Sequence, residues 1–267
     1  MPIPNARRAL VLFAASLLAA CGGDVGDARI GGAKPPATFA TAGVYLGYYQ
    51  EDTASDTTPD ATAGALVLNL PTTSGAAITG SMDYHFAACQ ALDAVPLGGT
   101  RSDLGLNGTF TGTVDTTTQA GTFTATLDTT NLYFTGNYTN TGGKQTVSPA
   151  GCTAYTVAAL GTIGLFLIDT KSPKDTFNVT FTAATRTIAW SSITGLSKAL
   201  VYIVDPAVVS AGGASPVLWQ VWLDPTLSIV VPASVTLTPG HTYAAAVELA
   251  DGSRTRIAFG SQSFMAP

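Results

Sequence analysis

The strongest constraint on the fold of this chain is a strict alternation of threonine with apolar or small residues. From Gly108 to Asp115 one face carries Phe, Gly and Val, and the opposite face carries only Thr. The pattern repeats from Gly121 to Asp128 and continues from Leu132 to Tyr138. A period of two predicts half-buried β-strands rather than helices. The short polar connections between these segments predict an antiparallel meander.

Further strands and a low charge content extend this pattern to an all-β fold class. Only 11% of the 267 residues are charged, which disfavours exposed helices. Within residues 39–170, we predict a β-domain that is either a closed barrel or a sandwich, because both satisfy the apolar face and the sheet edges. Glycines within its strands favour the tight bends of a small barrel. The additional predicted strands are Gly43 to Tyr49, Ala65 to Leu70, Ala77 to Tyr84 and Gly161 to Ile168.

Residues 171–267 predict a second β-domain, a seven-stranded immunoglobulin-like sandwich. Seven short strands in a stretch of this length are typical of such sandwiches. The predicted strands are Phe177 to Thr182, Thr187 to Ser191, Ala199 to Val204, Trp219 to Leu223, Leu227 to Val231, Thr242 to Leu249 and Arg256 to Phe264.

Two motifs in this second region resemble a fibronectin type III domain. Ile188-Ala-Trp190, followed by Leu200 to Val204, is similar to the second and third strands of that family, with Trp190 as the core tryptophan. Leu237-Thr-Pro-Gly-His-Thr-Tyr243 is similar to its tyrosine corner. The resemblance implies that the Tyr243 hydroxyl bonds upstream backbone while its ring packs in the core.

The start of the chain predicts a secretory signal over residues 1–20. Arg7 and Arg8 precede an apolar run of about a dozen residues, which is too short to cross a bilayer. Leu18-Ala-Ala-Cys21 resembles the lipobox of bacterial lipoproteins, which implies cleavage before Cys21 and a diacylglycerol on its sulfur. Residues 21–38 contain little to bury and predict a flexible tether. Because Gly22 rather than Asp follows the cysteine, the resemblance implies an outer-membrane location.

The three cysteines fit this interpretation. Lipidation would consume Cys21, and an oxidising compartment would join Cys89 to Cys152. The alternative is a pair of buried free thiols.

Charge and motifs argue against several classes of function. The net charge is −5, and loss of Arg7 and Arg8 with the leader makes it −7, so nucleic acid is not an expected partner. No catalytic pentapeptide, phosphate loop or dinucleotide fingerprint occurs. The two histidines, His85 and His241, do not have metal-ligand spacing, and we predict no catalytic, cofactor or metal site. An acidic loop from Glu51 to Asp60 leaves a calcium site as an open alternative to a solvated hairpin.

We therefore expect a non-enzymatic lipoprotein with a binding or structural role at the cell envelope, partnered by the membrane and by a protein or a small apolar ligand. Trp219 and Trp222 lie three apart on one strand, so they face opposite sides. One is a candidate recognition residue unless the first domain covers it. Two alternatives stay open: a carrier that holds a small apolar ligand inside the barrel, and an envelope hydrolase.

Overall fold

Eight strands close into an antiparallel barrel, in which each barrel strand pairs with the barrel strands before and after it in the chain and the first strand pairs with the last. A computed structural model describes residues 40–52, 63–86, 91–130, 133–169, 177–211, 215–224, 226–252 and 257–267. The predicted barrel is confirmed, and the predicted signal and tether lie outside the described residues. The barrel strands are β1 (Gly43–Glu51), β2 (Ala63–Leu70), β3 (Ala77–Phe86), β4 (Ala91–Arg101), β5 (Gly105–Val114), β6 (Thr117–Asp128), β7 (Tyr133–Asn140) and β10 (Leu160–Leu167).

Aromatic residues inside the barrel lie directly opposite glycines on the neighbouring strand. Tyr138 pairs with Gly161, and a Cβ on Gly161 would lie 2.6 Å from Cε1 of the tyrosine ring. The pairs Phe110–Gly121, Phe123–Gly108 and Tyr49–Gly64 have the same arrangement. Each ring thus covers the bare backbone beside it, and this alternation of large and small residues fits a narrow barrel.

The barrel interior is filled with side chains. Its largest fully buried members include Tyr45, Tyr49, Tyr84, Phe86, Phe110 and Phe134. The threonines of the alternating segments face solvent, as the sequence pattern predicts. A short hairpin of β8 (Gln145–Val147) and β9 (Tyr155–Val157) adds Val147 and Val157 to the same core.

The C-terminal region contains all seven predicted strands, arranged in two sheets. One sheet has three strands and the other has four. The predicted seven-stranded sandwich is therefore confirmed. Its strands are β11 (Val179–Thr182), β12 (Thr187–Trp190), β13 (Lys198–Val204), β14 (Val217–Leu223), β15 (Ser228–Val230), β16 (Thr242–Ala250) and β17 (Ile257–Met265).

The tyrosine corner and the core tryptophan are both present in the sandwich. The backbone N–H of Thr238 donates to the Tyr243 hydroxyl at 3.0 Å, and the Tyr243 ring is buried. Trp190 packs in the same core as Val201 and Val247, which lie on the facing sheet.

Several described elements are absent from the sequence-based prediction, among them β4, the β8–β9 hairpin and a short helix. Strand β4 was missed because Pro96, Gly98 and Gly99 interrupt its apolar pattern. Pro96 precedes Leu97–Arg101, the part of β4 that pairs with β5. Because Pro96 lies outside this pairing, its lack of a backbone N–H costs no hydrogen bond to β5. A short helix, α1 (Pro206–Ala211), joins β13 to β14.

The barrel and the sandwich share a buried apolar interface, here called the joint. Residues Phe39 to Pro267 form one compact unit. The outer faces of β1, β2 and β10 meet the outer face of the four-stranded sheet and α1. Phe166 of the barrel stacks on Phe259 of the sandwich, with ring centroids 4.8 Å apart. The main members of the joint are Val44, Leu46, Val67, Phe166, Tyr202, Val209, Ala246 and Phe259.

Candidate functional site

An open apolar pocket lies at one end of the sandwich and has a volume of about 230 Å³. We call it the loop-end pocket. Two connections build most of it, one between β12 and β13 and one between β14 and β15, and Leu249 of β16 completes the wall. Its apolar lining consists of Trp190, Ile193, Leu196, Ala199, Leu227 and Leu249.

Backbone hydrogen bonds hold the two connections in place. The N–H of Trp190 donates to the carbonyl of Leu227 at 2.9 Å, which extends the β12–β15 pairing up to the pocket. The N–H of Ser197 donates to the carbonyl of Ala250 at 2.9 Å. The pocket is therefore built on strand ends, while the Leu227 side chain remains 51% exposed.

The charged groups of the pocket are Lys198 and Asp224. Lys198 Nζ donates to Asp224 Oδ1 at 2.7 Å. The lysine side chain is only 23% exposed, whereas the aspartate is 84% exposed. The stem of Lys198 therefore lies along the pocket wall, while its hydrogen bond to Asp224 is exposed and the carboxylate stands in solvent.

Buried hydrogen bonds from the sandwich to the barrel backbone cross the joint. The Tyr202 hydroxyl donates to the carbonyl of Gly47 at 2.7 Å. Gln220 accepts from the N–H of Ala65 at 3.2 Å and donates to the carbonyl of Asp83 at 3.1 Å. Because Ala65 and Asp83 are cross-strand partners on β2 and β3, one side-chain amide satisfies both strands.

Asp83 is a fully buried carboxyl at the joint. Ser81 donates to Oδ2 at 2.5 Å, and Ser215 from the sandwich side donates to Oδ1 at 3.3 Å. Burial raises the pKa of Asp83 to about 7, and the two serine bonds oppose that shift. This carboxyl is therefore partly protonated near neutral pH.

A second buried acid, Glu51, lies on the interior face of β1, at the end of the strand opposite to Tyr45. Glu51 is 1% exposed, and burial raises its pKa to about 8, against a hydrogen bond from the backbone of Ala158. Tyr49, Tyr84 and Tyr138 lie close enough for Glu51 to raise their own pKa values further, after burial has raised them most.

Among the described residues, the barrel interior leaves little space for a ligand. The gap lined by Leu66, Leu68, Met82, Phe123 and neighbouring side chains measures about 10 Å³, barely the space of one water. The strand from Val44 to Tyr49 is apolar on both faces, and this pattern motivated the carrier alternative. The structure explains the pattern in a different way. One face fills the barrel and the other packs in the joint.

The two candidate tryptophans lie on opposite faces of β14, as predicted. Trp219 packs against the sandwich core, and Trp222 packs against the joint. Trp222 is therefore partly buried at the joint. His241 pairs with Asp205 at 3.0 Å beside the tyrosine corner, while the side chain of His85 lies outside the described part of the chain.

The cysteine predictions fall mostly on residues that the structure does not describe. Cys21 and Cys89 lie outside the described residues, as do Asp56 and Asp60 of the acidic loop. Cys152 is half-buried against the barrel core and is disulfide-bonded. Its pairing with Cys89 remains a prediction.

Neither a scan against protein-family models nor a search of curated proteins found a match to this chain. In the described ranges, no helix has the length and apolar character needed to cross a membrane. Those ranges also contain no group of three or more His, Cys, Asp or Glu side chains that could hold a metal ion.

The sequence pattern did not reveal the loop-end pocket. Trp190 was recognised only as a core residue, and the other lining residues are single apolar positions spread over 60 residues of sequence. The one available signal was an apolar Ile193 and Leu196 within a connection that is otherwise polar and glycine-containing.

Proposed function

We propose that this chain is an exported bacterial lipoprotein of the outer membrane, anchored through Cys21, whose folded body binds an apolar ligand group in the loop-end pocket. The observation that carries the binding role is the pocket itself, an open apolar cavity of about 230 Å³ built on strand ends. Concave, mostly apolar sites with a few polar groups are typical of ligand binding.

The joint supports a role as a rigid binding body. Tyr202 and Gln220 fasten the sandwich to the barrel backbone, and Phe166 and Phe259 stack across the same surface. A barrel with a filled interior then serves as a stable base rather than as a container. The lipid would hold this base at the membrane, since one chain of a lipid anchor contributes roughly 0.8 kcal/mol per buried methylene.

The likeness to fibronectin type III domains belongs to the same proposal. The sheet order β11-β12-β15 and β14-β13-β16-β17, together with the Tyr243 corner, is consistent with that family. In immunoglobulin-like sandwiches, loops clustered at one end commonly carry recognition. The loop-end pocket has this position.

A small neutral apolar probe of eight carbons, ethylbenzene, tests the binding role. Ethylbenzene should change the tryptophan fluorescence of the full chain, because Trp190 lines the pocket, and Leu227→Gln should remove most of that change by placing an amide in the pocket wall. Val230→Gln is the matched control because Val230 is also exposed and lies on the adjacent strand outside the pocket. An unchanged signal in Leu227→Gln would reject the pocket as the binding site.

A further inference from the structure

We infer that the loop-end pocket takes an amphiphilic anion, a compact apolar body of about six to eight carbons that carries one carboxylate. The inference rests on the proposed binding function and specifies the chemistry of its ligand. It follows from the size of the pocket and from the placement of its charges and donors.

The volume sets the size of the apolar body. A cavity of about 150 Å³ holds benzene, so about 230 Å³ accommodates a somewhat larger ring or a short alkyl chain. The pocket is lined by one tryptophan ring and by aliphatic side chains, which favour an apolar body over a sugar. Long acyl chains exceed this space.

The polar lining is rich in hydrogen-bond donors. Ser192, Ser197 and Thr226 carry hydroxyls, and Lys198 carries an ammonium. Thr226 already donates to the carbonyl of Ser228 at 3.1 Å, which leaves the two serines and the lysine as the donors for a ligand. Asp224 is the one acidic side chain in the lining. A ligand with acceptor oxygens matches this set.

The Lys198–Asp224 pair can exchange its carboxylate. Asp224 is 84% exposed, and exposed ion pairs contribute only about 0–1 kcal/mol, so the aspartate can turn into solvent at little cost. Lys198 is mostly buried and remains in the wall. A ligand carboxylate that replaces Asp224 gains a charge-assisted hydrogen bond in a less hydrated setting than the aspartate has. A ligand ammonium group would instead be repelled by the positive charge of Lys198.

Three eight-carbon probes with different head groups separate these possibilities. Octanoate, 1-octanol and octylamine are titrated calorimetrically into the mature chain carrying Cys21→Ser, which needs no detergent. We expect octanoate to bind at least tenfold more tightly than 1-octanol, and octylamine to bind most weakly. Lys198→Gln should bring octanoate down to the affinity of 1-octanol without changing the latter.

Two further variants distinguish a failure of the anion inference from a failure of the proposed binding function. Leu227→Gln should weaken octanoate and 1-octanol together, and Val230→Gln should change neither. Equal affinities for octanoate and 1-octanol, tighter binding of octylamine, or an unchanged octanoate affinity in a folded Lys198→Gln protein would each overturn the anion inference alone. Absence of binding by all three probes would overturn the proposed pocket function as well. Circular dichroism of each variant confirms that it is folded.

Discussion

Tyr202 and Gln220 lie directly opposite each other on β13 and β14, and both side chains hydrogen-bond the barrel backbone. The pair makes three buried bonds across the joint, one from tyrosine and two from glutamine. Both residues are essentially inaccessible to solvent. The sandwich thus presents a polar cross-strand pair within the largely apolar joint.

Removal of the Gln220 amide tests the strength of the joint. Gln220→Met keeps the length of the side chain but leaves the Ala65 N–H and the Asp83 carbonyl without their partner. Each buried unsatisfied group costs about 1–3 kcal/mol, so the free energy of unfolding should fall by about 2–6 kcal/mol. Urea unfolding, followed by tryptophan fluorescence, measures this change.

The Tyr202→Phe variant gives a smaller version of the same effect. It removes only the bond to the Gly47 carbonyl and should lower the free energy of unfolding by about 0.5–1.5 kcal/mol. Tyr133→Phe is the control, since the Tyr133 ring stacks on Phe166 and keeps that contact. Equal stabilities of these two variants would show that the Tyr202 bond contributes nothing to the joint.

The raised pKa values of Glu51 and Asp83 predict that stability falls as pH rises. Burial raises the pKa of Glu51 from 4.5 to about 8 and that of Asp83 from 3.8 to about 7. The folded state therefore holds these protons more tightly than the unfolded state does. The contribution to stability is complete below pH 4 and is lost as pH rises towards 8.

The size of the Glu51 effect is measurable by urea unfolding at pH 5 and pH 8. A shift from 4.5 to about 8 corresponds to a loss on the order of 5 kcal/mol over the full range. Glu51→Gln should flatten the pH dependence and should be more stable than the wild type at pH 8. The exposed Asp103→Asn is the control and should leave the slope unchanged. A Glu51→Gln protein with the wild-type slope would contradict the assignment.

Glycines opposite aromatic rings predict which strand positions tolerate a methyl group. Gly161→Ala would place a Cβ 2.6 Å from Cε1 of Tyr138 and against the carbonyl of Gln50. Overpacking of this kind costs about 1–3 kcal/mol. Gly98→Ala is the matched control, because its Cβ would meet nothing closer than 3.6 Å, and it should be neutral or slightly stabilising. Thermal unfolding of both variants checks the difference.

Local pattern accounts for most of the strands and for two core residues. The threonine alternation located β5, β6 and β7, and the motifs around Trp190 and Tyr243 located the core and the corner of the sandwich. These features depend on neighbours in sequence or on a recurring local motif. Strand β4 escaped because Pro96 and two glycines carry no apolar period.

Features that depend on contacts between residues distant in sequence could not be predicted from the local sequence pattern. The second apolar face of Val44 to Tyr49 signals burial but does not say what buries it, and the structure shows the sandwich there. From the sequence alone, Gln220 is expected to be a surface residue. Only the folded structure shows that its side chain bonds the barrel backbone. The loop-end pocket likewise forms only because two connections and the end of β16 meet in the folded structure.

The proposed envelope role depends most directly on acylation of Cys21, which metabolic labelling with radioactive palmitate measures. The account predicts that label enters the wild-type chain and the Cys152→Ser control, and that Cys21→Ser abolishes it and releases the protein from the membrane fraction. Equal labelling of the Cys21→Ser variant and the wild type, or no label in either, would contradict the lipoprotein assignment.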